Sequence, residues 1–284
     1  MSKARPFAIT ALALALVLGA CSSDDDSGSG SSSTTTTRAP AEPLTILVTN
    51  DDGYSAAGID AVVEALRKLP DVEVTVVAPA TNQSGQGGKT TPGELTATES
   101  QTASGYPATA VNGFPADTIT YALANQFAEE PPDVVVSGIN EGANMGPIVN
   151  LSGTVGAAKA AVARGIPAIA ASSGADPEPD YSIGADLVVE WVKAHRKAFE
   201  RDDEQPTSVV NLNIPSCAAG EVRGVVQVPL SSDGAAAVNT KSNCESTATD
   251  PPDDVIAFRE GFAPVTEIDQ AGETVTTSTT WPRS

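Results

Sequence analysis

The sequence of 284 residues is poor in aromatic side chains, in positive charge and in histidine. Aromatic residues make up 4% of the chain, so a core must be built mainly from Val, Ala, Ile and Leu. The chain has 16 Lys and Arg against 36 Asp and Glu, which gives a formal net charge of -20. Because nucleic-acid grooves rely on clustered basic side chains, this balance argues against a nucleic-acid polymer as partner. A small phosphorylated ligand stays open, since a metal and a few backbone amides can reverse the field locally.

The only histidine, His195, offers little for catalysis. It follows Trp191 by four residues in a predicted helix that is remote from the polar loops described below. A catalytic histidine must reach the reacting group, so we expect a structural role at the edge of the core.

The N-terminal apolar run, residues 8–19, is too short to cross a bilayer. It follows the basic Lys3 and Arg5 and ends at Leu-Gly-Ala-Cys21. This form predicts a signal peptide over residues 1–20, and its end resembles the lipobox of bacterial lipoproteins, which implies lipidation of Cys21. An ordinary secretory peptide or a short hydrophobic anchor is the alternative.

Residues 21–43 are rich in Ser, Thr, Asp and Gly and predict a flexible tether. We therefore expect an extracytoplasmic protein that is held at the bacterial cell envelope by its N-terminal lipid alone. Cys217 and Cys244 would then lie in an oxidising compartment, which predicts a disulfide between them. Two unrelated thiols are the alternative.

Residues 44–220 alternate short β-branched apolar runs with segments of helical periodicity. This alternation predicts an α/β core with a mainly parallel sheet that is covered by helices on both faces. Residues 221–284 are rich in Ala, Ser, Thr, Pro and Asp and predict a peripheral β extension.

Three polar loops each follow a predicted parallel strand. They contain Asp51-Asp52-Gly53, residues 79–85 and residues 137–140. Because ligand sites of open α/β sheets form at the carboxyl ends of strands, we expect these loops to meet in one crevice. Two adjacent carboxylates resist joint ionisation unless a cation compensates them, so the pattern predicts one divalent metal ion, Mg²⁺ or Mn²⁺. The alternative is that Asp51-Asp52-Gly53 is a simple turn and helix-cap signal.

A phosphate site is suggested where Ser152, Gly153 and Thr154 lead into a predicted helix. Small residues at a helix start leave backbone amides that face an anion. Capping of the helix by Ser152 alone explains the same residues equally well.

Five segments in this order resemble the SurE (survival protein E) family: TILVTNDDGYSAAGI, VVAPATNQSG, VNGFPADTI, PDVVVSGINEGANMG and SGTVGAAKAAVARGIPAIAAS. The resemblance implies a Rossmann-like three-layer αβα fold and a metal-dependent nucleotidase or acid phosphatase for nucleoside 5'- and 3'-monophosphates. The implied metal ligands are Asp51, Asp52, Ser84 and Asn140. The implied phosphate-binding positions are Asn50, Gly85, Asn144, Ser152, Gly153 and Thr154.

The resemblance also implies a homodimer or tetramer, assembled through the segment after Gly220. Asp51 or Asp52 could act as the catalytic base, and the sequence does not separate this role from that of a ligand. One alternative function is an extracytoplasmic nucleotide-binding lipoprotein without turnover. An aspartyl-phosphate mechanism is disfavoured because the expected Asp-x-Asp spacing is absent.

Overall fold

A computed structural model of the protein describes residues 42–175, 180–199, 205–237, 240–275 and 281. The predicted signal peptide, Cys21 and the predicted tether up to residue 41 lie outside the described residues. Within the described ranges, no helix combines the length and the apolar character that a membrane span needs.

Strands and helices alternate along the described chain, as the periodicity predicts. The strands are β1 (Leu44–Thr49), β2 (Val72–Pro79), β3 (Ala97–Gln101), β4 (Pro107–Val111), β5 (Val134–Glu141), β6 (Ala168–Ser173), β7 (Val209–Ile214), β8 (Val225–Gln227) and β9 (Ala263–Ile268). The helices are α1 (Ala57–Leu66), α2 (Pro115–Asn125), α3 (Gly153–Val162), α4 (Ser182–Phe199), α5 (Gly234–Ala237) and α6 (Asp254–Arg259). A 3-10 helix, Gly146–Asn150, precedes α3.

All described strands belong to one sheet in the order β3-β4-β2-β1-β5-β6-β7-β9-β8. Strands β4, β2, β1, β5, β6 and β7 run parallel, so their carboxyl ends share one edge. From β1 the chain passes to β2 on one side, and β5 pairs with β1 on the other side. This reversal of strand order opens a crevice beyond the carboxyl ends of β1 and β5, where open α/β sheets bind ligands.

Helices cover both faces of the sheet, which confirms the predicted α/β architecture. Successive side chains of β1 point to opposite faces of the sheet. Ile46 and Val48 belong to one buried cluster with residues of α1 and α4, and Leu47 belongs to a second cluster with residues of α2 and α3. Both clusters consist mostly of Val, Ile, Leu and Ala. Each fully buried side chain of the larger types contributes roughly 1.5–3 kcal/mol, so numerous small contacts compensate for the few aromatic residues.

The segment after residue 220 continues the sheet at one edge. Strand β9 pairs antiparallel with β7, and β8 pairs parallel with β9. The same segment also contributes α5 and α6, which the sequence pattern does not indicate. At the opposite edge, β3 and β4 form an antiparallel pair that the pattern does not indicate either.

A disulfide joins Cys217 and Cys244, whose Cα atoms lie 5.6 Å apart. The two cysteines are separated by 27 positions in the sequence. Cys244 also forms a backbone bridge with Gly220, and its Cα packs against Gly261. The bond therefore fastens the chain after β7 to the segment between α5 and α6, which packs against the turn before β9.

We expect loss of this disulfide to destabilise the protein. Closing a loop of this length raises the free energy of the unfolded chain by about 3.5 kcal/mol. A Cys217→Ser/Cys244→Ser variant should therefore lose up to that much free energy of unfolding, measured in urea. A reducing agent should lower the unfolding midpoint of the wild type and leave the midpoint of the double variant unchanged. Equal midpoints for the oxidised wild type and the variant would contradict the expectation.

Candidate metal and phosphate site

Three elements converge on the adjacent carboxylates Asp51 and Asp52, which lie in the turn after β1. Thr154, at the start of α3, donates a hydrogen bond to Asp51 Oδ1 at 2.6 Å. The backbone N–H of Glu141, at the end of β5, donates to Asp52 Oδ2 at 3.0 Å. Asn82, in the loop after β2, donates to Asp52 Oδ1 at 3.2 Å. The structure thus brings the three polar loops of the sequence together in the crevice beyond β1 and β5.

Asp51 is a buried carboxylate held by the N-terminus of α3. Only 2% of Asp51 is exposed. Burial raises the pKa of its carboxyl above the ordinary value, and hydrogen bonds from the Thr154 side chain and from the backbone amides of Thr154 and Gly153 act in the opposite direction. A helix N-terminus favours a negative charge, so α3 stabilises the ionised form of Asp51.

Gly153 makes this close approach possible. A Cβ at position 153 would lie 2.7 Å from Asp51 Cβ and 2.9 Å from Pro115 Cγ. Any larger residue would push α3 away from the carboxylate. The glycine of the Ser152-Gly153-Thr154 segment therefore sets the distance between the helix and Asp51.

Asp52 lies in the more open part of the site. Burial, together with the charges of Asp51 and Glu141, raises its pKa to about 6, against hydrogen bonds from the Glu141 amide and Asn82 that lower it. The charged groups that act on Asp52 are thus both acidic. Its negative charge lacks the helix terminus that compensates Asp51.

The turn that carries both carboxylates is fixed by Asn50. Its side-chain amide donates to Gly53 O at 2.9 Å, and its Oδ1 accepts from Gly53 N at 3.2 Å. Gly53 has a φ of 108°, in the region that favours glycine. The structure therefore places Asn50 as a support of the Asp51-Asp52 turn, with both side-chain polar atoms engaged.

Ser84 lies on the loop after β2, and Asn140 lies near the end of β5, one residue before Glu141. The Asn140 amide donates to Gly142 O at 2.5 Å, and its Oδ1 accepts no hydrogen bond from the residues that the structure describes. Ser84 is exposed, and its backbone N–H donates to Asn82 Oδ1 at 2.9 Å. The neighbouring Gln83 N–H donates to Asp51 O at 2.7 Å, which ties this loop to the site. Both side chains therefore keep an oxygen for a ligand.

These residues fit a hard divalent cation. Two carboxylates, an amide oxygen and a hydroxyl are ligands of the kind that Mg²⁺ and Mn²⁺ prefer. Among the described residues, no cluster of three or more His, Cys, Asp or Glu suited to a metal is found, so carboxylates alone do not complete the site. Burial and the acidic neighbours Asp51 and Glu141 disfavour the ionised form of Asp52, and a bound cation would favour it.

The predicted phosphate-binding residues fall into two groups. Ser152 caps α3, since its Oγ accepts from Val155 N at 3.1 Å, while Gly153 and Thr154 face Asp51. Gly85 lies exposed beyond Ser84 with a φ of 75°. The hydroxyl of Ser152 thus caps the helix, as the alternative interpretation has it. Phosphate binding by Gly85, Ser152, Gly153 and Thr154 stays a prediction.

Asn144 is held by two asparagines of β7. Its backbone N–H donates to Asn213 Oδ1 at 2.7 Å, and its carbonyl accepts from Asn211 at 2.9 Å and from Asn213 at 3.0 Å. Its side chain donates to Ser172 Oγ at 2.8 Å. Neither Asn211 nor Asn213 was predicted from the sequence to belong to the site, although their i, i+2 spacing on one strand is a signal for a shared face.

Two further residues near Asp52 were not identified from the sequence. Asn82 lies two positions before Ser84 and is bonded to Asp52. Tyr181, at the start of α4, is buried, and burial together with the charges of Glu141 and Asp52 raises its pKa to about 12. His195 instead contacts Trp191 and Phe199, and its Nδ1 bonds Trp191 O, as expected for a structural residue.

The fold and the site define an α/β protein with a set of oxygen-bearing side chains, suited to a divalent cation, at the point where the strand order reverses. The family model described as "Survival protein SurE" matches residues 46–236, and the chain belongs to this family. It is 38% identical over 189 residues to the 5'-nucleotidase SurE of Methanocella arvoryzae, covering 64% of this chain and 70% of that protein. It is 42% identical over 187 residues to the 5'-nucleotidase SurE of Sulfurovum sp., covering 63% and 68%. The crystal structure of the SurE protein from Aquifex aeolicus matches with a TM-score of 0.63 and 28% identity, over 80% of this chain and 93% of that one.

The raised pKa of Asp52 predicts a pH-dependent stability of the metal-free protein. In the folded state Asp52 keeps its proton up to about pH 6, whereas in the unfolded chain the ordinary pKa of 3.8 applies. The bound proton therefore stabilises the folded state fully below pH 4, and this stabilisation is lost as the pH rises through 6. The loss amounts to roughly 3 kcal/mol at most. An Asp52→Asn variant should lack this part of the decline when urea unfolding is followed in chelator between pH 4.5 and 7.5.

An Asp186→Asn variant is the matched control, because Asp186 is exposed on α4. Its stability should parallel that of the wild type across the pH range. Parallel curves for wild type and Asp52→Asn would show that Asp52 titrates normally.

Proposed function

We propose that the protein is a divalent-metal-dependent phosphomonoesterase of the nucleotidase class that hydrolyses nucleoside 5'- and 3'-monophosphates at the outer face of the cell membrane. The observation that carries the proposal is the pair Asp51 and Asp52, fixed by Thr154 and by the end of β5 in the crevice beyond β1. The SurE relatives at 38% and 42% identity are named 5'-nucleotidases, which supports the same reaction class.

The residues that would hold the ion are Asp51, Asp52, Ser84 and Asn140. When bound there, a divalent ion polarises a phosphoryl oxygen and lowers the pKa of a coordinated water. Thr154 orients the Asp51 carboxylate, and Asn82 together with the Glu141 amide orients Asp52. Fixed carboxylates avoid rearrangement during the reaction, which is the advantage of a preorganised site.

Asp52 also suits a proton transfer at a pH near neutrality. Its pKa of about 6 in the metal-free protein lies near the range where a general base is efficient. Burial raises the pKa of Asp51 as well, against the amides at the N-terminus of α3. Because Asp51 is buried and Asp52 lies in the more open part of the site, we assign the base role, where a base operates, to Asp52.

The test is release of inorganic phosphate from AMP with Mn²⁺ or Mg²⁺. We expect turnover that a chelator abolishes. A Thr154→Val variant should lose about 10- to 100-fold in metal affinity or activity, because a partner that orients a ligand is removed while the side-chain shape is kept. Thr154→Ser, which retains the hydroxyl, should recover most of the loss.

Thr120→Val is the matched control, since Thr120 lies exposed on α2 away from the carboxylates. Its activity should equal that of the wild type. Tight AMP binding without turnover would favour the alternative of a nucleotide-binding lipoprotein, and full activity of Thr154→Val would overturn the role of Asp51.

The proposed location rests on the N-terminal sequence and on the disulfide. Lipidation of Cys21 would anchor the protein, and the bond between Cys217 and Cys244 suits an oxidising compartment. The wild type should incorporate labelled fatty acid and sediment with membranes, whereas Cys21→Ala should do neither. Incorporation that persists in Cys21→Ala would contradict the anchor.

We also propose that the protein assembles as a dimer or tetramer through the segment after Gly220. Light scattering measures the molar mass of the assembly.

A further inference from the structure

A groove is lined by Tyr54, Glu99, Ser100 and Gln101. We name it the Tyr54 groove. Its volume of about 410 Å³ lies in the range of small-molecule sites. Tyr54 forms one wall, and three residues of the edge strand β3 form the other. The groove is therefore open to solvent and accessible to part of a substrate.

Tyr54 connects the groove to the turn that carries the carboxylates. Tyr54 follows Asp52 by two residues, so their Cα atoms are separated by about 8 Å at most. The backbone N–H of Tyr54 donates to Pro79 O at 3.1 Å, which places this residue at the carboxyl end of β2. A molecule whose phosphate contacts the metal site therefore has its remaining part within reach of Tyr54.

The chemistry of the lining favours a flat, uncharged, polar-edged group. Tyr54 is half-buried, and one part of it packs on the core while the rest lines the groove, so its aromatic ring is pre-oriented for stacking. Glu99 repels a second phosphate. The side chains of all four lining residues make no hydrogen bond to another residue that the structure describes. A carboxylate and an amide can bond the amino and ring-nitrogen edges of a base.

We propose that the Tyr54 groove binds the nucleobase of the substrate, with stacking on Tyr54 and edge contacts to Glu99 and Gln101. This inference rests on the proposed nucleotidase function and specifies its substrate subsite. The groove thereby makes the reaction more efficient with nucleotides than with phosphate esters that lack a base.

The test compares AMP with ribose 5-phosphate, which carries the same phosphorylated sugar without the base. In a Tyr54→Ala variant, the ratio of kcat/KM for AMP to that for ribose 5-phosphate should fall about tenfold, because stacking of a base on an aromatic ring is worth roughly 1–3 kcal/mol. The change should lie in KM rather than in kcat. Tyr54→Phe should keep the ratio, and Gln101→Ala should lower it less than Tyr54→Ala.

Tyr121→Ala is the matched control, since Tyr121 is a partly buried tyrosine that packs against the other face of the sheet. Its substrate ratio should equal that of the wild type. An unchanged ratio in Tyr54→Ala, or equal losses on both substrates, would overturn the subsite. AMP binding by equilibrium dialysis gives the same comparison without turnover, so a wild type that binds AMP through Tyr54 but hydrolyses neither ester would refute the proposed function alone.

Discussion

The contact between Asp51 and the start of α3 is the constraint on which the site depends. A buried carboxylate is costly unless its charge is met by hydrogen bonds and dipoles. Thr154 supplies the hydrogen bond, and the helix terminus supplies the dipole. The contact requires glycine at position 153 and again at Gly156, where a Cβ would collide with the backbone of Gly87. The loop after β2, the helix and the first strand are therefore fixed to one another around a single charge.

The two carboxylates differ in the groups that surround them. Burial raises the pKa of both carboxylates, but Thr154 and the amides at the start of α3 oppose this shift at Asp51, whereas the charged groups that act on Asp52 are both acidic. One excess negative charge beside two uncommitted oxygens, on Asn140 and Ser84, is what a divalent cation can neutralise. The strongly negative net charge of the chain is thus compatible with an anionic substrate, because the field at the site is set locally by the metal.

The fold was largely predictable where strands are buried on both faces. Strands such as β1 and β5 show continuous β-branched runs, which leave a clear signal. The strand β3 escapes prediction because it lies at the sheet edge and carries the polar sequence ATESQ. Without β3 the wall of the Tyr54 groove could not be anticipated, although Tyr54 itself lies in the recognised motif.

The sequence indicates which side chains belong to the candidate site, but it does not indicate the backbone groups that contact them. Asp51, Asp52 and Asn140 follow from their positions after parallel strands. The partner that Glu141 contributes is a backbone N–H, which no side-chain pattern reveals. The same holds for Asn144, whose main chain is held by Asn211 and Asn213 from a strand that is more than 60 residues distant in sequence.

The C-terminal segment is also connected to the catalytic loops. Asp254 is fully buried, and its carboxylate accepts hydrogen bonds from Gly146 N at 2.8 Å and from Ser231 N at 2.7 Å. Gly146 lies two residues after Asn144, in the turn that joins β5 to α3. A buried carboxylate that loses either amide would be left unsatisfied, so displacement of the segment is costly. Asp254 lies beyond residue 236, where the family-model match ends, and its segment supports the loop that carries Asn144 through these bonds and through the packing of Val255 and Phe258 on Met145.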